Sequence, residues 1–198
     1  MIELDDTLPP ELVPLAWLIG VWEGSGIVNY AVGDDLRNHE FGQRLSFSHD
    51  GLPHLNYSSY TWLIGGELTP LATETGYWRL SRPATEGDPG PGLLPGVGDR
   101  PFATATSVEA LRNGSGGFDL DVSILHPGGV SELYLGQVKG PRIDLSTDAV
   151  LRSANAKEHT ASTRMYGLVD KHLLWAWDIA ALGQSLTTHA SGRLARVD

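Results

Sequence analysis

Reversals too tight for anything but antiparallel neighbours recur along the whole chain, and they limit its fold more than any other feature. Asp50-Gly51, Gly65-Gly66, His126-Pro127-Gly128-Gly129, Lys139-Gly140-Pro141 and Val169-Asp170-Lys171 each leave only a few residues for a turn. Between these and weaker breaks lie segments rich in β-branched and aromatic residues at 22–32, 41–48, 55–64, 73–81, 118–126, 131–138, 142–148, 159–168, 172–180 and 188–197. The expectation is about ten short strands in a meander. Glycine at 24 and proline at 12 residues suit such a fold better than long helices. One helix is expected at the start, where Pro9, Pro10 and Glu11 open a stretch with Leu12, Leu15, Ala16 and Ile19 at helical spacing, and Gly20 stops it.

Ten antiparallel strands hide their edges by closing, so the expected fold is mainly β: a ten-stranded up-and-down β-barrel of the lipocalin or fatty-acid-binding type, wide enough to hold a ligand, with a sandwich as the alternative. One domain over residues 1–198 is expected. A Pro/Gly-rich segment at about 83–117 interrupts it and reads as a mobile surface loop placed to cover a pocket mouth, with a weak strand at Phe102 to Leu111.

Composition narrows the function. A formal net charge of −10 argues against nucleic acid and anionic membrane as partners. No cysteine means no disulfide, no thiolate metal site and no thiol nucleophile, which fits a reducing cytoplasm. Met1 to Leu8 is acidic and lacks an apolar core, and no run approaches a membrane span, so a cytoplasmic chain is expected. Motifs of hydrolases, P-loops and zinc proteases are absent. Among seven histidines, His49, His54, His126 and His172 sit at turns and read as exposed polar residues without a role. The pairs Asp5-Asp6 and Asp34-Asp35 read as solvated charges.

The segment Gly20-Val21-Trp22-Glu23-Gly24-Ser25-Gly26 sets Trp22, Gly24 and Gly26 on one strand face. Its structural reading, favoured two to one over a functional one, is an indole that plugs the barrel end beside glycines that let the strand bend.

That GxWxGxG pattern, preceded by Leu15-Ala16-Trp17-Leu18-Ile19, resembles the nitrobindin-like haem proteins, small β-barrels described in actinobacteria as peroxynitrite isomerases. Further echoes in order are Glu74-Thr75-Gly76-Tyr77-Trp78-Arg79, His126-Pro127-Gly128-Gly129-Val130, Lys157 with Arg164 and Tyr166, and Ala181-Leu182-Gly183-Gln184-Ser185-Leu186-Thr187-Thr188-His189. The resemblance implies one haem b per chain, His189 as proximal iron ligand, Lys157 as a haem contact that pairs with a propionate, and Gly20, Trp22, Gly24 and Gly26 as the motif edge of the barrel. It implies iron-centred isomerisation of peroxynitrite to nitrate with no catalytic side chain, and binding of nitric oxide. The 83–117 segment departs from the family pattern as an insertion. Two other classes stay open, a nitric oxide sensor or carrier and a haem-free carrier of a fatty acid or other apolar molecule held by Arg164 and Tyr166; so does a homodimer.

Overall fold

A computed structural model describes residues 8–32, 35–65, 69–181 and 183–197. Asp5, Asp6 and Asp34 lie outside the described residues, as does most of the acidic start. Ten antiparallel strands close into one barrel: β1 Gly20–Val32, β2 Asp35–Ser48, β3 Leu55–Leu63, β4 Thr69–Leu80, β5 Phe118–His126, β6 Val130–Lys139, β7 Arg142–Arg152, β8 His159–Val169, β9 His172–Ala181 and β10 Thr187–Arg196. Each strand pairs with its sequence neighbour, and β1 closes the ring on β10 from Trp22↔Arg196 to Val28↔Ala190. No helix of the described residues is long and apolar enough to cross a membrane.

Alternation along the strands is what fills the interior. In β5, Phe118, Leu120, Val122 and Ile124 point inward and are buried, while the residues between them face out. The turn after β8 is made by Asp170 and Lys171 with φ of 49° and 62°, the paired positive values of a type I′ turn, whose twist matches the strands it joins.

The two ends of the barrel differ. At one end Pro10–Leu18 forms a 3₁₀ helix whose Leu12, Leu15 and Leu18 are fully buried. The expected helix is there, but Pro14 lacks an N–H and Leu12 bonds back to Pro9 over three residues, which favours the tighter 3₁₀ form. Trp22 donates from Nε1 to the Leu18 carbonyl at 2.8 Å and ties this plug to the wall.

The 83–117 segment joins β4 to β5 at this same plugged end, so it does not cover the cavity mouth. Arg82 anchors it, with ion pairs of 2.7 Å to Glu11 on the 3₁₀ helix and 2.7 Å to Asp88, and its guanidinium lies over the Phe102 ring. Phe102 to Leu111 is no strand. Thr104 and Ser107 form a capping box that opens a one-turn helix α1, Ala105–Glu109, and Val108 packs inward from it.

Candidate functional site

The other end holds a cavity of about 560 Å³, within the range of ~300–1,000 Å³ common for ligand sites. Its walls are mostly apolar or aromatic, including Val28, Phe41, Leu45, Leu63, Leu71 and Trp175. His189 lines it, and the way it arrives there is specific. The β9–β10 ladder runs Thr188↔Asp178 and then Ala190↔Trp177, so His189 is the extra residue of a β-bulge. Inward positions of β10 are Ala190 and Leu194; regular alternation would turn residue 189 outward, and the bulge turns it in.

The tautomer of His189 follows from its partner. Nδ1 lies 3.1 Å from the Asn29 carbonyl oxygen, which can only accept, so Nδ1 carries the proton and Nε2 keeps its lone pair. Burial pushes the imidazole below its ordinary value, with His159 adding to the shift and the Asn29 bond opposing it, so the ring stays neutral. Trp177 packs edge-to-face against it at 5.4 Å between ring centres.

Behind Trp177 lies a buried charged floor. Arg164 donates to both Glu74 oxygens at 2.9 and 2.8 Å and from Nε to the Tyr134 hydroxyl at 2.9 Å; its guanidinium sits 4.2 Å over the Trp177 ring and 3.6 Å from Glu132. Glu132 is wholly buried and meets His126 at 2.7 Å, His159 at 2.8 Å and the hydroxyls of Tyr134 and Ser162. Burial alone would raise both carboxyls, but Arg164 on Glu74, and chiefly the His126 and His159 hydrogen bonds on Glu132, outweigh it and hold them ionised. Tyr57 donates to Glu74 at 2.7 Å, and burial followed by the Glu74 charge pushes that phenol up.

His126 therefore does not sit idle in a turn: its side chain is 18% exposed, bonded to Glu132 and stacked on Trp177. Sequence reasoning also missed Glu74, Glu132 and His159. Alternation alone finds the first two, since Glu74 keeps step with buried Trp78, and Glu132 with buried Tyr134. His159 is hidden by another bulge, where the pairing steps from His159↔Ala181 to Ala161↔Ala180. Lys157 lies exposed on the β7–β8 loop, at the same end of the barrel as His189, and does not line the cavity. Trp22 is at the plugged end, away from the cavity, and Gly24 and Gly26 let β1 approach β10: a Cβ would meet the Arg193 oxygen or the Ser191 oxygen at 2.2 Å.

The donor set decides what the cavity accepts. No three His, Asp or Glu side chains converge among the described residues in a way that holds a metal ion. Of the two histidines that line the cavity, His39 is engaged with Tyr30 at the open end, and the neutral His189 imidazole among mostly apolar walls fits a metal that brings its remaining ligands with it, as haem iron does. Fold and site together define a haem-holding β-barrel. The chain belongs to the THAP4-like, heme-binding beta-barrel domain family, whose pattern matches residues 11–196. It is similar to the Peroxynitrite isomerase of Leifsonia xyli subsp. xyli, 69% identical over the whole of both chains, and to that of Clavibacter michiganensis subsp. michiganensis, 67% identical over the whole of both. Among solved structures it is similar to Rv2717c from M. tuberculosis, at 26% identity and a TM-score of 0.69, covering 96% of this chain and 99% of that one. The Leifsonia relative spans all 198 residues, so the 83–117 segment has a counterpart there.

Proposed function

We propose that this chain is a haem protein that isomerises peroxynitrite to nitrate in the cytoplasm, with His189 as the proximal ligand. The observation that carries the reading is an imidazole fixed in its Nδ1–H form inside an apolar cavity, with Nε2 left for a metal. Ferric haem b held by His189 would supply Lewis-acid chemistry for the conversion of peroxynitrite to nitrate and a site for nitric oxide. The Asn29 carbonyl and Trp177 hold the imidazole plane and so would orient Nε2 toward a bound metal. Apolar walls keep water from the reacting fragments. Lys157, on a loop at the open end, is the propionate contact in this reading, and no side chain serves as acid or base.

The carrier alternative loses its anchor in this structure. Arg164, the cation that would hold a fatty-acid carboxylate, is already bidentate to Glu74 and 3.6 Å from Glu132. An anionic head there meets two carboxylates.

The test is a titration of the purified protein with ferric haem beside His189→Ala, read by absorption, followed by stopped-flow decay of peroxynitrite with nitrate yield. A one-to-one Soret shift that is lost in the variant, with faster and more complete conversion to nitrate in the parent, is the expected result. No shift in either protein would overturn the reading.

A further inference from the structure

Three tyrosines line the cavity, and they are not equivalent. Tyr57 and Tyr166 are buried near the charged floor, 2% and 1% exposed. Tyr30 stands at the open end, 38% exposed, with its hydroxyl 3.1 Å from His39 Nε2 and its ring stacked on the His39 ring at 5.7 Å and 17°. His39 lines the same cavity. A phenol gives up an electron easily only when its proton leaves in the same event, and an imidazole with its proton on Nδ1 is a base within hydrogen-bond reach.

We propose that Tyr30 is a modification site, nitrated on its ring by nitrogen dioxide formed in the cavity, with His39 as the proton acceptor; this rests on the peroxynitrite reading. Cleavage of the peroxynitrite O–O bond gives nitrogen dioxide and an oxygen-centred fragment. When recombination fails, that fragment takes one electron from the Tyr30 phenol, and the phenol proton passes to His39. Nitrogen dioxide then forms a C–N bond at the ring carbon beside the hydroxyl, and loss of the ring hydrogen as a proton restores both aromaticity and the O–H. His39 returns its proton to the reduced oxygen fragment, which leaves as water. One peroxynitrous acid and one tyrosine give one nitrotyrosine and one water.

The geometry explains why Tyr30 and not another. Tyr60 and Tyr77 are as exposed or more so, at 37% and 55%, but neither lines the cavity. They report nitration from bulk solution. Tyr30 stands on the way out, where a fragment that leaves meets it at high effective concentration.

The experiment gives small pulses of peroxynitrite to haem-loaded protein, to haem-free protein and to haem-loaded His39→Gln, and maps 3-nitrotyrosine at each tyrosine by peptide mass spectrometry, with nitrate yield measured in parallel. In haem-loaded protein the Tyr30-to-Tyr77 nitration ratio is expected to exceed that of haem-free protein by roughly tenfold, a proximity effect, and His39→Gln is expected to lower it several-fold. Nitration that follows exposure, with Tyr77 first, in a haem-loaded protein that does accelerate nitrate formation overturns the inference while leaving the function intact. Unchanged Tyr30 nitration in His39→Gln overturns the role of His39. If haem-loaded protein forms nitrate no faster than buffer, the function and the inference fall together.

Discussion

Replacing Glu74 with glutamine isolates the value of the buried floor. The side chains of Arg164 and Glu74 are 3% and 12% exposed, and they meet through two contacts of 2.9 and 2.8 Å. Removing one partner of a buried pair costs about 3–5 kcal/mol, because the other charge is left in a poor solvent. Glu132 still faces Arg164 at 3.6 Å and a glutamine oxygen still accepts one bond, so the loss should fall near the lower bound, about 3 kcal/mol. At roughly 2–4 °C per kcal/mol for a chain of this size, Tm should drop by about 6–12 °C. The control is Asp121→Asn, which breaks a 2.9 Å pair with Arg79 whose side chains are 50% and 22% exposed. That pair is worth about 1 kcal/mol or less. Urea and thermal unfolding of both variants decide the comparison. The pH dependence has a definite sign: Glu74 is held below its ordinary value, so its contribution is complete above the unfolded carboxyl value of about 4.3 and is lost as pH falls through the lower folded value. The gap between parent and Glu74→Gln should therefore close under acid. A loss at neutral pH no larger than that of Asp121→Asn, or a gap that persists at acid pH, would refute the reasoning.

Burial holds the His189 imidazole below its ordinary value of about 6.5, so it stays neutral and able to ligate at that pH; haem affinity followed by Soret titration should hold through pH 6.5 and weaken only as pH falls through the lowered value. Gly24→Ala drives a Cβ into the Arg193 oxygen and the Leu194 Cα, both backbone atoms, and should cost about 1–3 kcal/mol by urea unfolding without changing the His189 environment. Arg82→Met releases Asp88 and leaves Glu11 buried without its cation, so limited proteolysis should cut the 83–101 stretch faster than in the parent while the cavity end is unaffected. If the overall charge of −10 slows the approach of an anionic substrate, the peroxynitrite rate should rise with ionic strength, and a rate that is flat or falls with salt would reject that idea.

Alternation and turn chemistry made the ten strands legible, because both act between near neighbours in sequence. The strand bounds agree to a few residues except at the open end, where β2 and β4 extend beyond their apolar stretches on polar residues such as Asn38 and Thr69, and β7 runs on over residues 149–152. Phe102 to Leu111 misled because its apolar content suits a strand, while the Thr104–Ser107 cap that makes it a helix is a local hydrogen-bond choice. The interior charges were a different matter. Alternation puts Glu74 and Glu132 on inward positions, but what makes them tolerable there is not local: Arg164, the partner of Glu74, stands 90 positions away in the chain. His189 was reached through resemblance, since β10 periodicity by itself directs that position outward.

The bulge at His189 has a consequence for how such proteins change over generations. Thr188 and Ala190 already pair with consecutive residues of β9, so His189 is a residue the ladder does not count. A one-codon deletion at that position would erase the proposed iron ligand and leave each backbone pair of β10 in register. One insertion would restore it. With His189 as the proposed ligand, haem binding and barrel formation would be inherited separately: a lineage could drop the cofactor while keeping the container, or fit the ligand into an existing container, in a single genetic event.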